Sequence, residues 1–122
     1  MSGGTDSVQE GCVFCRIARG LIPSDKIYED GDFLAFYDLS PQAPVHFLVI
    51  PKRHIESLMD LAEADRNLAG GLLIKARELA EKLGCAGKGG RFVINCKSDG
   101  GQTVPHLHLH VLAGRPLCWP PG

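Results

Sequence analysis

The stretch His106-Leu107-His108-Leu109-His110-Val111-Leu112 alternates an imidazole with an aliphatic side chain along its length. Successive side chains of a β-strand point to opposite faces, so this spacing predicts a strand over about 106–112, with three imidazoles on one face and Leu107, Leu109 and Val111 on the other. The aliphatic face belongs against a core, and the imidazole face carries chemistry. Three of the chain's five histidines fall in this stretch, a concentration that a merely polar face does not require. A single catalytic metal shared by all three is a poor fit. Same-face neighbours stand roughly 6–7 Å apart, and their nitrogens cannot converge on one ion without distortion. One imidazole acting as a nucleophile fits better.

Immediately upstream, DGGQTVPH (99–106) sets Gly100 and Gly101 where backbone N–H groups can approach an anion, followed by the side-chain donors of Gln102 and Thr103. Beside three imidazoles, this loop reads as a phosphate cradle. Further out, residues 91–96 read as a strand and 97–102 as a polar loop. Asp60 and Glu63 form a capping-box pattern ahead of Leu61, Leu68, Leu72, Leu73, Ala76, Leu79, Ala80 and Leu83, whose helical spacing runs to Gly84 and predicts one long amphipathic helix. Residues 26–29, 33–38 and 47–51 read as antiparallel strands separated by the turn formers Asp30-Gly31-Asp32 and Ser40-Pro41-Gln42-Ala43-Pro44. Val13, Phe14, Ile17 and Ala18 share one helical face before Gly20, which predicts a short helix over about 12–19. The expectation is an α+β domain over 12–122, preceded by a loose tail at 1–11 whose composition buries too little apolar surface to order.

A chain of 122 residues suits one domain with its own core. Formal charge is −1, from 13 basic and 14 acidic residues without a like-charge run, so nothing favours a nucleic acid or a membrane surface as partner. No apolar stretch approaches the ~20 residues of a membrane span, and the first residues lack a signal-peptide pattern, which points to the cytoplasm. Five cysteines, an odd number, suit a reducing compartment. Cys12 and Cys15 have the spacing of a zinc half-site, although two buried thiols satisfy the same pattern; a redox pair would need a thioredoxin-like βαβ context that is absent.

The run HLHLHVL resembles the signature of the histidine triad (HIT) family. The likeness extends through YEDGDFLAFYDLSPQAPVHFLVIPKRHI (28–55), GGQTVPHLHLHVLAGR (100–115) and CWPPG (118–122), and is similar to the Hint branch of purine nucleoside phosphoramidases. The resemblance implies a HIT-like fold, with an antiparallel sheet of about five strands, one long and one or two short helices, and a sheet continued across a homodimer. It implies that His108 attacks the α-phosphorus of an AMP amide, forming a nucleotidyl-histidine that water resolves to AMP. His110, Asn95 and Thr103, with Gly101 and Gln102, would contact phosphate, His46 would support the nucleophile from behind, and Asp38 would accept from the ribose hydroxyls. Val13, Phe14, Ile17, Ile22, Phe36, Leu39 and Leu48 would form the purine slot, and Trp119 would reach the neighbouring subunit's site. Some members hold structural zinc on residues matching Cys12, Cys15, His54 and His106, with no role for metal in the chemistry. Dinucleoside polyphosphate hydrolysis and nucleotidyl transfer, known in other branches, are disfavoured by the CWPPG tail. A non-catalytic nucleotide-binding scaffold is the remaining alternative.

Overall fold

Turn formers at 30–32 and 38–44 divide the first half of the chain into three strands, β1 Lys26–Glu29, β2 Phe33–Tyr37 and β3 Val45–Pro51, in a computed structural model that describes residues 11–122. Asp30 closes the first turn by accepting from the backbone N–H groups of Asp32 and Phe33, both at 2.8 Å. Two further strands, β4 Gly90–Val93 and β5 Leu109–Ala113, complete an antiparallel five-stranded sheet in the order β1-β2-β3-β5-β4. With α1 Val13–Ala18, α2 Arg66–Lys82 and α3 Lys97–Gly100, the α+β architecture is the expected one. The expected tail lies, apart from Gly11, outside the described residues. No helix among the described residues is long and apolar enough to cross a membrane.

Period-two alternation gives the sheet two apolar faces, each covered by a helix. Phe33, Ala35, Phe47, Val49, Leu107, Leu109 and Val111 pack with Leu72, Ala76, Leu79 and Ala80 of α2. On the opposite face Leu34, Phe36, Leu48 and Ile50 pack with Cys12, Phe14 and Cys15 around α1. At about 25 cal/mol per Å² of apolar surface, burying any one of the large side chains stabilises by roughly 1.5–3 kcal/mol.

Several boundaries depart from expectation. β3 begins at Val45 and not at Phe47, which brings His46 into the sheet. The strand of the HLHLHVL segment begins at Leu109, not at His106. Ahead of it His106 N–H bonds to Val104 carbonyl (2.8 Å) and Leu107 N–H to Ile55 carbonyl (2.6 Å), which takes these donors out of any ladder. Side-chain alternation nonetheless continues through 106–108, and the imidazole face is itself covered, since His106 and His108 are both buried. The long helix starts at Arg66, after two 3-10 turns at Leu58–Asp60 and Glu63–Asp65. Asp60 does not cap it, because its carboxylate accepts from Ser57 Oγ; Asp65 instead accepts from Ala62 N–H and pairs with Arg53. The strand expected at 91–96 is shorter, covering Gly90–Val93, and part of the polar loop forms α3.

Candidate functional site

His108 follows the irregular 104–107 segment, and that segment holds it. Its Nδ1 lies 2.7 Å from the carbonyl of His106. A carbonyl only accepts, so the hydrogen sits on Nδ1 and the lone pair on Nε2, which has no partner among the described residues. Burial drives the His108 ring below its ordinary pKa against the opposing pull of the His106 carbonyl and Asp38. His110, one step further along β5, is pushed down to about 4, first by burial and then by His108 and His46. Both rings are therefore neutral at neutral pH.

His46 Nε2 lies 2.9 Å from His110 Nδ1 and 3.5 Å from Asp38 Oδ2, while His46 Nδ1 accepts from Gln42 N–H at 3.0 Å. Sequence reasoning set His46 behind the nucleophile; the structure sets it behind His110, because the far nitrogen of His108 is already taken by backbone. Register explains the pairing: Leu48 of β3 stands opposite His110, and His46 is two residues along on the same face. Asp38, Oδ1 of which accepts from Ser40 N–H at 2.8 Å, turns its other oxygen toward both imidazoles.

His108 and His110 open into a mainly apolar cleft of about 300 Å³. Of the expected nucleotide residues, Val13, Phe14, Ile17 and Ile22 line it from the α1 side. Phe36, Asp38, Leu39, Leu48 and Thr103 line it from the strands and loops. Phe14 is central, with its ring 5.1 Å from that of His108 and 5.5 Å from that of Phe36, both edge-on. Asn95, Gly101 and Trp119 are not among the lining residues, and Trp119 is 82% exposed. Gln102 does not line it either. Its Oε1 accepts from Lys97 N–H (2.8 Å) and its Nε2 donates to the carbonyls of Glu56 (2.6 Å) and Val104 (2.9 Å), so both amide hydrogens are committed to the protein and none is left for a phosphate. Pro23, Ser24, Asp25, Tyr37 and Val104 line the cleft without having been expected. Of these only Tyr37 carried a signal, as the neighbour of Asp38 at a strand end. A second cleft of about 590 Å³, bordered by Lys88, Arg91 and Arg115, contains no histidine.

Cys12, Cys15, His54 and His106 converge behind the nucleophile, with their donor atoms all within 4.8 Å of one another. Cys12 caps α1, accepting from Cys15 N–H at 3.4 Å, which turns both sulfurs toward the sheet. His106 Nδ1 stands 3.3 Å from Cys12 Sγ and 3.5 Å from Cys15 Sγ, and His54 Nδ1 stands 3.3 Å from Cys15 Sγ. A tetrahedral zinc shell with Zn–S of about 2.3 Å and Zn–N of about 2.0–2.1 Å has N···S edges of about 3.5 Å, so the donor set fits that ion. His106 Nε2 donates to Pro51 carbonyl at 2.8 Å, which leaves Nδ1 bare toward the sulfurs, as a ligand requires. Burial holds the His106 ring down to about 4 and lowers His54 too, so both are neutral and fit to ligate.

Comparison with known proteins identifies the family and the fold. The model of the HIT domain matches residues 19–117. An uncharacterized HIT-like protein of Synechocystis sp. is 50% identical over 113 residues, covering 93% of this chain and 98% of that relative. Among solved structures, a HIT family hydrolase from Legionella pneumophila superposes with TM-score 0.90 at 49% identity, covering 91% of this chain and 99% of its own. A histidine triad nucleotide-binding protein from Candida albicans superposes with TM-score 0.74 at 28% identity, covering 89% of this chain and 82% of its own.

Proposed function

Because the chain belongs to the HIT family, we propose that it is a hydrolase of purine nucleoside 5′-monophosphoramidates, of the Hint branch, which cleaves the P–N bond between AMP and an amine. The observation that carries this reading is the hydrogen bonding of His108: Nδ1–H is held by the His106 carbonyl, which leaves the Nε2 lone pair unengaged on a residue that lines the cleft. His108 Nε2 attacks phosphorus, the P–N bond breaks, and the amine departs with a proton from solvent. Water then attacks the phosphorus of the nucleotidyl-histidine, releasing AMP and restoring the imidazole. His110 Nε2–H and Thr103 stabilise charge on the phosphoryl oxygens, Asp38 accepts from the ribose hydroxyls, and the apolar wall holds the purine. Asn95 and the Gly101 backbone, which do not line the cleft as it stands, reach the phosphate by a shift of the 95–101 segment toward bound substrate.

Zinc, where bound, is structural: Cys12, Cys15, His54 and His106 form a closed shell that ties α1 to the sheet. The reading includes a homodimer. No strand among the described residues pairs with the outer edge of β4, and a second copy there would protect it and bring Trp119 toward the partner's cleft.

The test is incubation with a fluorogenic AMP amide and with a dinucleoside polyphosphate, repeated with His108→Asn. Amide cleavage lost in the variant is the expected result. Cleavage of the polyphosphate alone favours a dinucleoside polyphosphate hydrolase, and binding without cleavage of either favours a nucleotide-binding scaffold. Light scattering across concentration reads the dimer.

A further inference from the structure

After β5 the chain turns back onto the loop that joins β2 to β3. Gly114 packs against Pro44, and Arg115 Nη2 donates to the carbonyl of Gln42 at 2.8 Å. Gln42 in turn donates its own N–H to His46 Nδ1 at 3.0 Å. An N–H donor demands a lone pair, so His46 carries its hydrogen on Nε2. That hydrogen points at His110 Nδ1, 2.9 Å away, and the remaining hydrogen of His110 must then sit on Nε2, the nitrogen not engaged by His46. The opposite tautomer of His46 would set two N–H groups against each other at Gln42. A single loop peptide thus decides which nitrogen of His110 bears a proton. Gln42 lies in an exposed loop, where besides its own bond to His46 the side-chain bond to Ser40 carbonyl (2.8 Å) and the Arg115 contact restrain it.

We propose that Arg115 is a positioning residue: by holding Gln42 it sets the tautomer of His46 and so presents His110 with its hydrogen on Nε2. The effect on rate rests on the phosphoramidase reading, whereas the effect on tautomers does not. Arg115 is exposed, so replacing it opens no core.

The experiment uses the full chain with ¹⁵N-labelled histidine, as wild type, Arg115→Met and Arg115→Lys. It reads the tautomers of His46 and His110 by NMR, and kcat and KM on an AMP amide. Wild type should show the Nε2–H tautomer at both rings. Arg115→Met should mix the tautomers of His46 and lower kcat about 5-fold with KM changed less than about 2-fold, the size expected for one hydrogen bond lost near the surface. Arg115→Lys, which keeps a donor, should restore the single tautomer and most of kcat. An unchanged His46 tautomer in Arg115→Met overturns the proposal, whatever happens to the rate. Mixed tautomers in a protein whose wild type leaves the amide intact would uphold the relay and remove the phosphoramidase reading.

Discussion

Gly114→Ala probes the joint between the end of β5 and the loop that carries Gln42. Gly114 has φ +97°, and an added Cβ would stand 2.8 Å from Pro44 Cβ and 3.2 Å from Pro44 Cγ. Left-handed backbone costs a residue with a Cβ about 1–2 kcal/mol. Carbon atoms meet comfortably at about 3.5–4.0 Å, so Pro44 or the chain at 114 must retreat by about 0.7 Å or more, and overpacking of that kind costs about 1–3 kcal/mol. The sum is about 2–5 kcal/mol. Gly84 supplies the control: its φ is +85° but a Cβ added there would meet nothing within 4 Å, so Gly84→Ala should cost only the backbone share, about 1–2 kcal/mol. Urea unfolding of both variants reads the difference, and at roughly 3–5 °C per kcal/mol for a domain of this size thermal melts should separate as well. Because Pro44 lies two residues from Gln42, Gly114→Ala should also slow turnover while Gly84→Ala should not. Equal destabilisation of the two variants would refute the steric argument, and full activity in Gly114→Ala would refute its link to the histidines.

Protein prepared without chelator should hold about one zinc per chain, less after Cys12→Ser, and its melting temperature should rise with free zinc as mass action requires; identical melting with and without zinc would count against the centre. Gln102→Glu removes both hydrogens facing the Glu56 and Val104 carbonyls. It should destabilise by about 1–3 kcal/mol in urea and raise KM through the displaced Thr103, whereas a residue that only touched substrate would leave stability unchanged. The His110 ring should titrate near 4 by NMR, below its ordinary 6.5. Between those values the unfolded chain binds a proton that the folded chain refuses, so stability should fall as pH drops from about 6.5 towards 4, with His110's own share at most about 1.4 kcal/mol per pH unit; a His110 midpoint at 6.5 would contradict this.

Most of the fold is legible in local pattern. Period-two alternation and the turn formers at 30–32 locate β1 and β2, and apolar repeats locate α2. The boundaries that slipped are those set by contacts distant in sequence. Leu107 N–H leaves the ladder for Ile55, and Asp65, not Asp60, turns its carboxylate back to the chain at Ala62. The site shows the same division. Residue type and spacing mark His106, His108 and His110, and resemblance marks Asp38 and the apolar wall. The resemblance also assigned His46 to the nucleophile, although the β3–β5 register puts it beside His110. Gln102, a polar side chain in a glycine loop, looks like a phosphate donor until its three hydrogen bonds are counted, and only the folded chain brings Glu56 near it. Gln42 acts through a peptide N–H, which every residue but proline possesses and no sequence pattern distinguishes.

The carbonyl of His106 claims one nitrogen of the next imidazole along the chain, so the backbone itself dictates which way that ring reacts. Were His108 cut back to glycine, free imidazole entering the hollow would be turned the same way, N–H inward and lone pair outward, and could take over the attack. 1-Methylimidazole, equally nucleophilic but with no hydrogen to offer that oxygen, would find nothing there to orient it.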